Sequence, residues 1–308
     1  MYKISQCSQC SHCLKSLTKK EAHYGIHQNC FYQIFGTNGI FERFSRLNLD
    51  SNPLTNELPH LSSYFAGNYR KYEARLDATR YILKFQEKKY PDLVATEYAC
   101  NLLAKHLQIP IPEPFSIIKY EAEYAFVVRN FTDNLPSPHN LVHLYHYMSG
   151  YDYTVKNICH IVKEQTHGIR DVETFLSTTL YDALIGNHDR HGRNLAIIET
   201  AKFKTLSPIY DNVSALGLES GPLLLSSWAP RGKIFTQKST EPEIADYVHD
   251  IHQLGYFHVL RKFEKNLKKM DIAKIIHSVL PLSDTMKNAL LRLITQRAKD
   301  FYETIEQL

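Results

Sequence analysis

The sequence predicts an α+β fold of two lobes, a small strand-rich lobe followed by a larger helical one. Two patterns lead to it. β-Branched and aromatic runs such as Tyr81-Ile82-Leu83-Lys84-Phe85 and Tyr124-Ala125-Phe126-Val127-Val128 lie before Phe131. Beyond it, apolar residues recur at helical spacing, as at Phe175, Leu176, Leu180, Ala183 and Leu184. With 308 residues, 44% apolar and 22% charged, the chain has enough material for a sizeable core.

In chain order, residues 1–44 form a Cys-rich, polar N-terminal segment with Phe35-Gly36 near its end. Residues 45–131 make the N-lobe. They open with a stretch to residue 62 rich in Asn, Pro, Ser and Leu, which reads as loop. A strand follows at 81–85. Residues 91–107 read as a helix, with Pro91 at its start, Asp92 in the first turn, and Val94, Cys100, Leu102, Leu103 and Leu107 along it. Residues 117–120 and 124–128 flank a short polar turn and predict a hairpin. Residues 132–308 make the C-lobe, with a helix at 172–186 and short strands near 194–199 and 203–207. Helices then follow near 242–254, 256–269, 271–279 and 283–306.

A net charge of +4 is small for this length and gives no reason to expect direct nucleic-acid binding. No apolar run approaches the roughly 18 residues that span a membrane, and the N-terminus has no apolar signal core. Four of the six cysteines crowd into positions 7–30 rather than forming a framework along the chain. That predicts a reducing compartment, hence the cytoplasm.

The chemistry concentrates in Gly186-Asn187-His188-Asp189-Arg190-His191-Gly192-Arg193-Asn194, followed by Pro208-Ile209-Tyr210-Asp211. Phosphoryl transfer from ATP needs a carboxylate to orient the attacking hydroxyl, and neutral and anionic oxygens to hold Mg²⁺. Asp189 suits the first role, Asn194 and Asp211 the second. The intervening residues are enough for a β-hairpin that returns Asp211 beside Asn194. The plainer reading is a polar turn capping a helix, with Asp211 an ordinary loop carboxylate.

This pattern resembles the HipA-like serine/threonine kinases, the toxin kinases of bacterial toxin–antitoxin operons, with their Gly-x-x-Asp-x-His-x-x-Asn loop and downstream Pro-x-Tyr-Asp-x-x-Ser. Here the second motif is Pro208-Ile209-Tyr210-Asp211-Asn212-Val213-Ser214. Arg80-Tyr81-Ile82-Leu83-Lys84 and Ala95-Thr96-Glu97-Tyr98 are similar to the family's ATP-lysine strand and the helix after it. The resemblance implies a bilobal protein-kinase-like fold and an enzyme using ATP and Mg²⁺. It gives Lys84 to the phosphates with Glu97 as its ion-pair partner, places His191 beside the phosphates, and sets Val128, Arg129 and Phe131 around the adenine. For Lys84 the plainer reading is an exposed strand lysine, and for Phe131 core packing.

The covering loop departs from the family's Gly-rich form. In Ser62-Ser63-Tyr64-Phe65-Ala66-Gly67-Asn68-Tyr69-Arg70-Lys71 only Gly67 is glycine. Family members autophosphorylate a serine in this loop, which makes Ser62 and Ser63 the candidates. The extra N-terminal subdomain of full-length members is lacking, so the chain resembles the short HipT form and implies a separate HipS-like subdomain protein as a partner. By the same resemblance the substrate is a protein, with aminoacyl-tRNA synthetases among the family's targets, and an antitoxin is a further partner. The catalytic loop is also similar to that of phosphatidylinositol kinases, which usually continue to Asp-Phe-Gly where this chain has Asp211-Asn212-Val213. A lipid kinase and an inactive, binding-only kinase fold are the alternatives.

Cys10-x2-Cys13, thirteen residues, then His27-x2-Cys30 has the spacing of tetrahedral Zn²⁺ ligands, with Cys7 as a substitute. A structural zinc knuckle and a set of metal-free thiols both fit. A nucleic-acid finger fits poorly, because the segment lacks a dense basic and aromatic face.

Overall fold

In the computed structural model, residues 8–46, 70–148 and 153–308 are described. The chain opens with two small hairpins, β1 (Ser8–Gln9) with β2 (Ser16–Leu17), and β3 (Ala22–His23) with β4 (Ile26–His27). Helix α1 (Gln28–Phe35) follows and stops at Gly36, whose φ of 75° is the left-handed conformation that glycine adopts cheaply.

The N-lobe sheet is antiparallel, built from β5 (Phe41–Arg46), β6 (Arg70–Leu76), β7 (Thr79–Phe85), β8 (Phe115–Tyr120) and β9 (Glu123–Arg129), in the order β5-β6-β7-β9-β8. The expected strand at 81–85 and the hairpin at 117–128 are β7 and the β8–β9 pair. The boundary expected at residue 44 falls inside β5, so the Cys-rich segment runs straight into the sheet.

Side chains alternate between the faces of a strand, and here both faces are used. Tyr81, Leu83 and Phe85 of β7, with Ala125 and Val127 of β9, join a core with Cys10, Leu17, Ile26, Cys30 and Phe31. Ile82, Phe126 and Val128 point the other way, into the main core with helix α2 (Leu93–His106). The N-terminal segment therefore covers one face of the sheet and α2 the other. Asp92 precedes α2 and accepts hydrogen bonds at 2.7 Å from both the backbone N–H and the hydroxyl of Ser283. That residue caps α9 (Asp284–Glu306), so a C-lobe helix start is tied to the start of α2.

The C-lobe contains α3 (Val155–Thr166) and α4 (Ile169–Ile185), a short α5 (Pro222–Leu225), then α6 (Ile244–Gln253), α7 (Phe257–Lys268), α8 (Ile272–Ser278) and α9. The last four lie within a residue or two of the expected helices. The start of this lobe is less helical than expected. Strand β10 (His139–His143) pairs with β11 (Ala196–Thr200), which pairs with β12 (Lys204–Leu206). Residues 139–143 mix His and Asn with two apolar residues, a pattern too short and too polar to announce a strand.

Candidate active site

Lys84 sits on β7, the middle strand of the sheet, on the face turned toward α2. The two-residue turn at Asp77-Ala78 fixes the β6–β7 register and puts Lys71 directly opposite Lys84. Two cations thus share one face of a buried surface, an arrangement that requires anions. Glu97 on α2, 1% exposed, accepts a hydrogen bond from Lys84 Nζ. Asp211 Oδ1 accepts another at 2.5 Å and stands 3.6 Å from Lys71 Nζ. Burial alone would raise the Asp211 carboxyl pKa, but Lys71 and Lys84 outweigh it and hold the group well below the usual carboxylate range. For Lys84, burial disfavours the charge, and Asp211 and Glu97 more than restore it.

The other half of the site hangs from the end of α4. Gly186 closes that helix at φ 73°, a left-handed conformation that favours glycine, and a Cβ there would press on Leu293 Cδ2 at 2.9 Å. The loop then folds on itself. Asn187 Oδ1 accepts from the Asp189 N–H at 3.0 Å, and Asn194 Nδ2 donates to the Asp189 carbonyl at 2.8 Å, leaving the Asn194 amide oxygen as the acceptor end.

Arg190 holds this loop to the segment that carries Asp211. Its guanidinium, 1% exposed, donates to both oxygens of Asp182 on α4 at 2.8 and 3.1 Å. It also reaches the Asn194 carbonyl at 3.2 Å, the Tyr210 carbonyl at 2.7 Å and Asn212 Oδ1 at 2.7 Å. The β11–β12 hairpin thus returns Tyr210-Asp211-Asn212 beside Asn194. Asn212 continues the chain of contacts through Asn101 to the Glu97 carbonyl on α2. Asp211 itself has φ 53°, a left-handed conformation that costs a non-glycine residue roughly 1–3 kcal/mol.

His191 Nδ1 accepts from the Arg193 N–H at 3.0 Å, so the neutral ring carries its proton on Nε2. Burial, with Arg193 and Arg190 nearby, lowers its pKa against the pull of Asp189, whose Oδ1 lies 3.8 Å from Nε2. Two buried polar atoms of this region, Glu97 Oε2 and His191 Nε2, make no hydrogen bond among the described residues.

A cleft of about 440 Å³ opens between the lobes. At one end are Lys71, Lys84 and Asp211. At the other, Ile82, Val128, Phe131, Leu141 and Tyr210 make an apolar slot. Phe131 opens a 3-10 turn (Phe131–Asn134) just after β9 and stacks on Tyr210, with ring centres 5.9 Å apart at 24°. The cleft has room for a flat heterocycle followed by an anionic tail.

The profile of the HipA-like C-terminal domain family matches residues 61–280. The chain belongs to this family. No curated protein matches it in sequence. Among solved structures it is similar to the Helicobacter pylori proinflammatory kinase CtkA, at 17% identity and a TM-score of 0.63, over 77% of this chain and 93% of that one. It is also similar to Shewanella oneidensis HipA, solved with HipB and operator DNA, at 17% identity and a TM-score of 0.55. That match covers 74% of this chain but 59% of the HipA chain. The α+β, bilobal fold is that of the HipA-like kinases.

In this HipA-like chain the structure joins Lys84, Glu97 and Asp211 in one cluster, gathers Asp189, His191 and Asn194 in a loop that Arg190 ties to the Asp211 segment, and puts Val128, Arg129 and Phe131 along the cleft. Phe131 lines the cleft rather than the core. Cys7, Gly67, Ser62 and Ser63 lie outside the described residues. Cys10, Cys13, His27 and Cys30 do come together, within 4.8 Å of one another, on the sheet face away from Lys84. Sequence reasoning gave no role to Lys71 or Arg190. The first depends on strand register. The second is a charged loop residue whose burial no local pattern betrays.

Arg190→Met leaves Asp182 buried and uncompensated, and its unfolding free energy by urea titration falls by about 3–5 kcal/mol. Asp211→Asn destabilises at neutral pH. A depressed carboxyl contributes stability above its unfolded pKa, about 3.9, and loses it as pH falls through the lower folded value. Urea midpoints of wild type and Asp211→Asn should therefore converge from about pH 5 downward. A gap unchanged between pH 7 and 3 contradicts the assignment.

Proposed function

We propose that the chain is an ATP- and Mg²⁺-dependent serine/threonine protein kinase of the HipA/HipT toxin type. The observation that carries this reading is the charged end of the cleft, where Lys84 bonds to both Glu97 and Asp211 while Arg190 ties the Asp189–Asn194 loop to the segment that carries Asp211. In this reading the apolar slot takes adenine, with backbone groups near Val128 and Arg129 at its edge and Phe131 on its face. Lys84 and Lys71 bind phosphate oxygens as compact charges. His191 Nε2–H, a buried donor with no described acceptor, hydrogen-bonds another.

The Asn194 amide oxygen and the Asp211 carboxylate are hard oxygen donors and would hold Mg²⁺. When bound, the ion offsets negative charge on the phosphate oxygens. Asp189 orients the hydroxyl of a serine or threonine and accepts its proton. The hydroxyl oxygen forms a bond to the γ-phosphorus as the bond to the ADP oxygen breaks. Burial of Glu97 and Arg190 keeps these groups at fixed positions, which is the protein's main contribution to such a reaction.

The protein substrate, by family resemblance, is a translation enzyme such as an aminoacyl-tRNA synthetase, reached in the cytoplasm. No described helix is long and apolar enough to cross a membrane. That HipA was solved with HipB supports an antitoxin partner. A HipS-like subdomain protein is a second partner of the HipT-like form. Gly67 belongs to the covering loop, and Ser62 or Ser63 takes phosphate in autophosphorylation. A phosphate of about −2 there repels the phosphates of ATP and silences the site.

Incubation with Mg·ATP labelled at the γ-phosphate, followed by mass spectrometry, tests the proposal. Transfer to serine or threonine of a protein is expected. Asp189→Gln should lower it by about 10²–10⁴-fold with Mg·ATP affinity retained. Undiminished transfer in Asp189→Gln contradicts the role of that residue. Transfer to phosphatidylinositol and to no protein supports the lipid-kinase alternative instead.

A further inference from the structure

The nucleotide cleft leaves the N-terminal cluster unused. We propose that Cys10, Cys13, His27 and Cys30 bind one structural Zn²⁺ that fastens the N-terminal segment to the outer face of the N-lobe sheet. The inference does not depend on the kinase reading.

The ligands come from two separate turns that the backbone holds face to face. Between β1 and β2 the chain doubles back through Cys10-Ser11-His12-Cys13-Leu14-Lys15. The Cys10 N–H donates to the Lys15 carbonyl and the Leu14 N–H to the Cys10 carbonyl, both at 2.9 Å. The turn puts Leu14 at φ 65°. His27 is the residue before α1 and Cys30 lies in its first turn, so both face the β1–β2 turn. All four ligand atoms fall within 4.8 Å of one another. A tetrahedral ion with bonds of about 2.0–2.3 Å separates its ligand atoms by roughly 3.5–3.8 Å, so closure takes only small movements.

The histidine shows the direction of the site. His27 Nε2 lies 3.0 Å from the Ser16 carbonyl, which can only accept, so Nε2 carries the proton. The bare lone pair of Nδ1 then points at sulfur, 3.3 Å from Cys13 and 4.0 Å from Cys30. A ring fixed by a backbone carbonyl on one nitrogen and free to ligate through the other is the usual arrangement of a zinc histidine. Four protein ligands leave no open position for water, which makes the site structural rather than catalytic. A disulfide would consume two sulfurs, leave the third alone and give the oriented imidazole nothing to do; the three cysteines are free thiols.

The location supplies the need for metal. Two-residue strands and one eight-residue helix bury little apolar area of their own, and segments of this size usually require a staple. Cys10 and Cys30 lie in the same core as Phe31, Phe41, Tyr81 and Leu83. The knuckle is joined to β8 by Ser11 Oγ donating to the Ile117 carbonyl and by the Lys119 N–H donating to the Tyr24 carbonyl. Holding the ion thus holds the cover over the strand whose opposite face carries Lys84.

The test is metal analysis and zinc X-ray absorption on the wild-type protein, expressed with zinc and dialysed. Expected are about one zinc per chain and a shell of three sulfurs near 2.3 Å and one nitrogen near 2.0–2.1 Å. Cobalt exchanged into the site should give tetrahedral d–d bands and a sulfur-to-cobalt charge-transfer band. Cys30→Ser and His27→Ala should each lose stoichiometric zinc, and a strong chelator should lower the wild-type Tm. Cys30→Ser removes a buried core side chain together with a ligand, so the wild-type spectrum decides. Wild type that retains no zinc, a shell of only oxygen and nitrogen, or stoichiometric zinc in a Cys13→Ser/His27→Ala double variant overturns the proposal.

Discussion

The structure turns on one buried contact, in which Lys84 Nζ donates to Glu97 from its own lobe and to Asp211 from the other. An ammonium taken out of water is tolerated only where anions surround it, and removing one member of such a set costs several kcal/mol. Lys71 adds a second cation on the same face, so the two carboxylates are required as much as the two lysines. This balance fixes where the lobes meet. It also places two cations and a strongly acidic carboxylate at one end of the cleft, with Ile82, Val128, Phe131 and Leu141 among the residues lining the rest, and from that asymmetry the nucleotide reading follows.

The rest of the molecule positions those four groups. Lys84 and Lys71 are fixed by a central, two-faced sheet that needs cover on both sides. Helix α2 covers the inner face and brings Glu97, while the Cys-rich segment covers the outer face. Asp211 is fixed by Arg190, a buried fork that reads two backbone carbonyls, Asn212 and Asp182 at once. Lysine could not make that set of contacts, because it lacks the planar spread of donors. Asp211 keeps its left-handed backbone because these neighbours determine it on every side.

Much of this could be read in the sequence. The β-branched and aromatic run of 81–85 marks β7 as a strand, and the later helical periods give α4 and α6 to α9 nearly to their ends. The Asp189, Asn194 and Asp211 spacing leaves room for the hairpin that brings them together. What could not be read depends on pairing between distant segments. Lys71 matters only because a two-residue turn sets it opposite Lys84. Arg190 looks like any loop arginine until Asp182, on the last turn of α4, is folded against it. Strand β10 has almost no intrinsic strand character and forms because β11 offers it an edge. The cysteine spacing left a metal site and metal-free thiols both open, and the orientation of His27, set by the Ser16 carbonyl, is something only the fold supplies.

Calorimetric titration of ATP into the wild-type protein and into Asp211→Asn, each with Mg²⁺ and with a chelator, tests the central claim most directly. If the Lys84–Asp211 end of the cleft is a phosphate and metal site, the wild type binds ATP at one site, and Mg²⁺ tightens that binding. In Asp211→Asn the Mg²⁺ dependence disappears while residual binding to the lysines remains. Absence of ATP binding by the wild type, or an affinity that Mg²⁺ leaves unchanged in both proteins, would contradict the account.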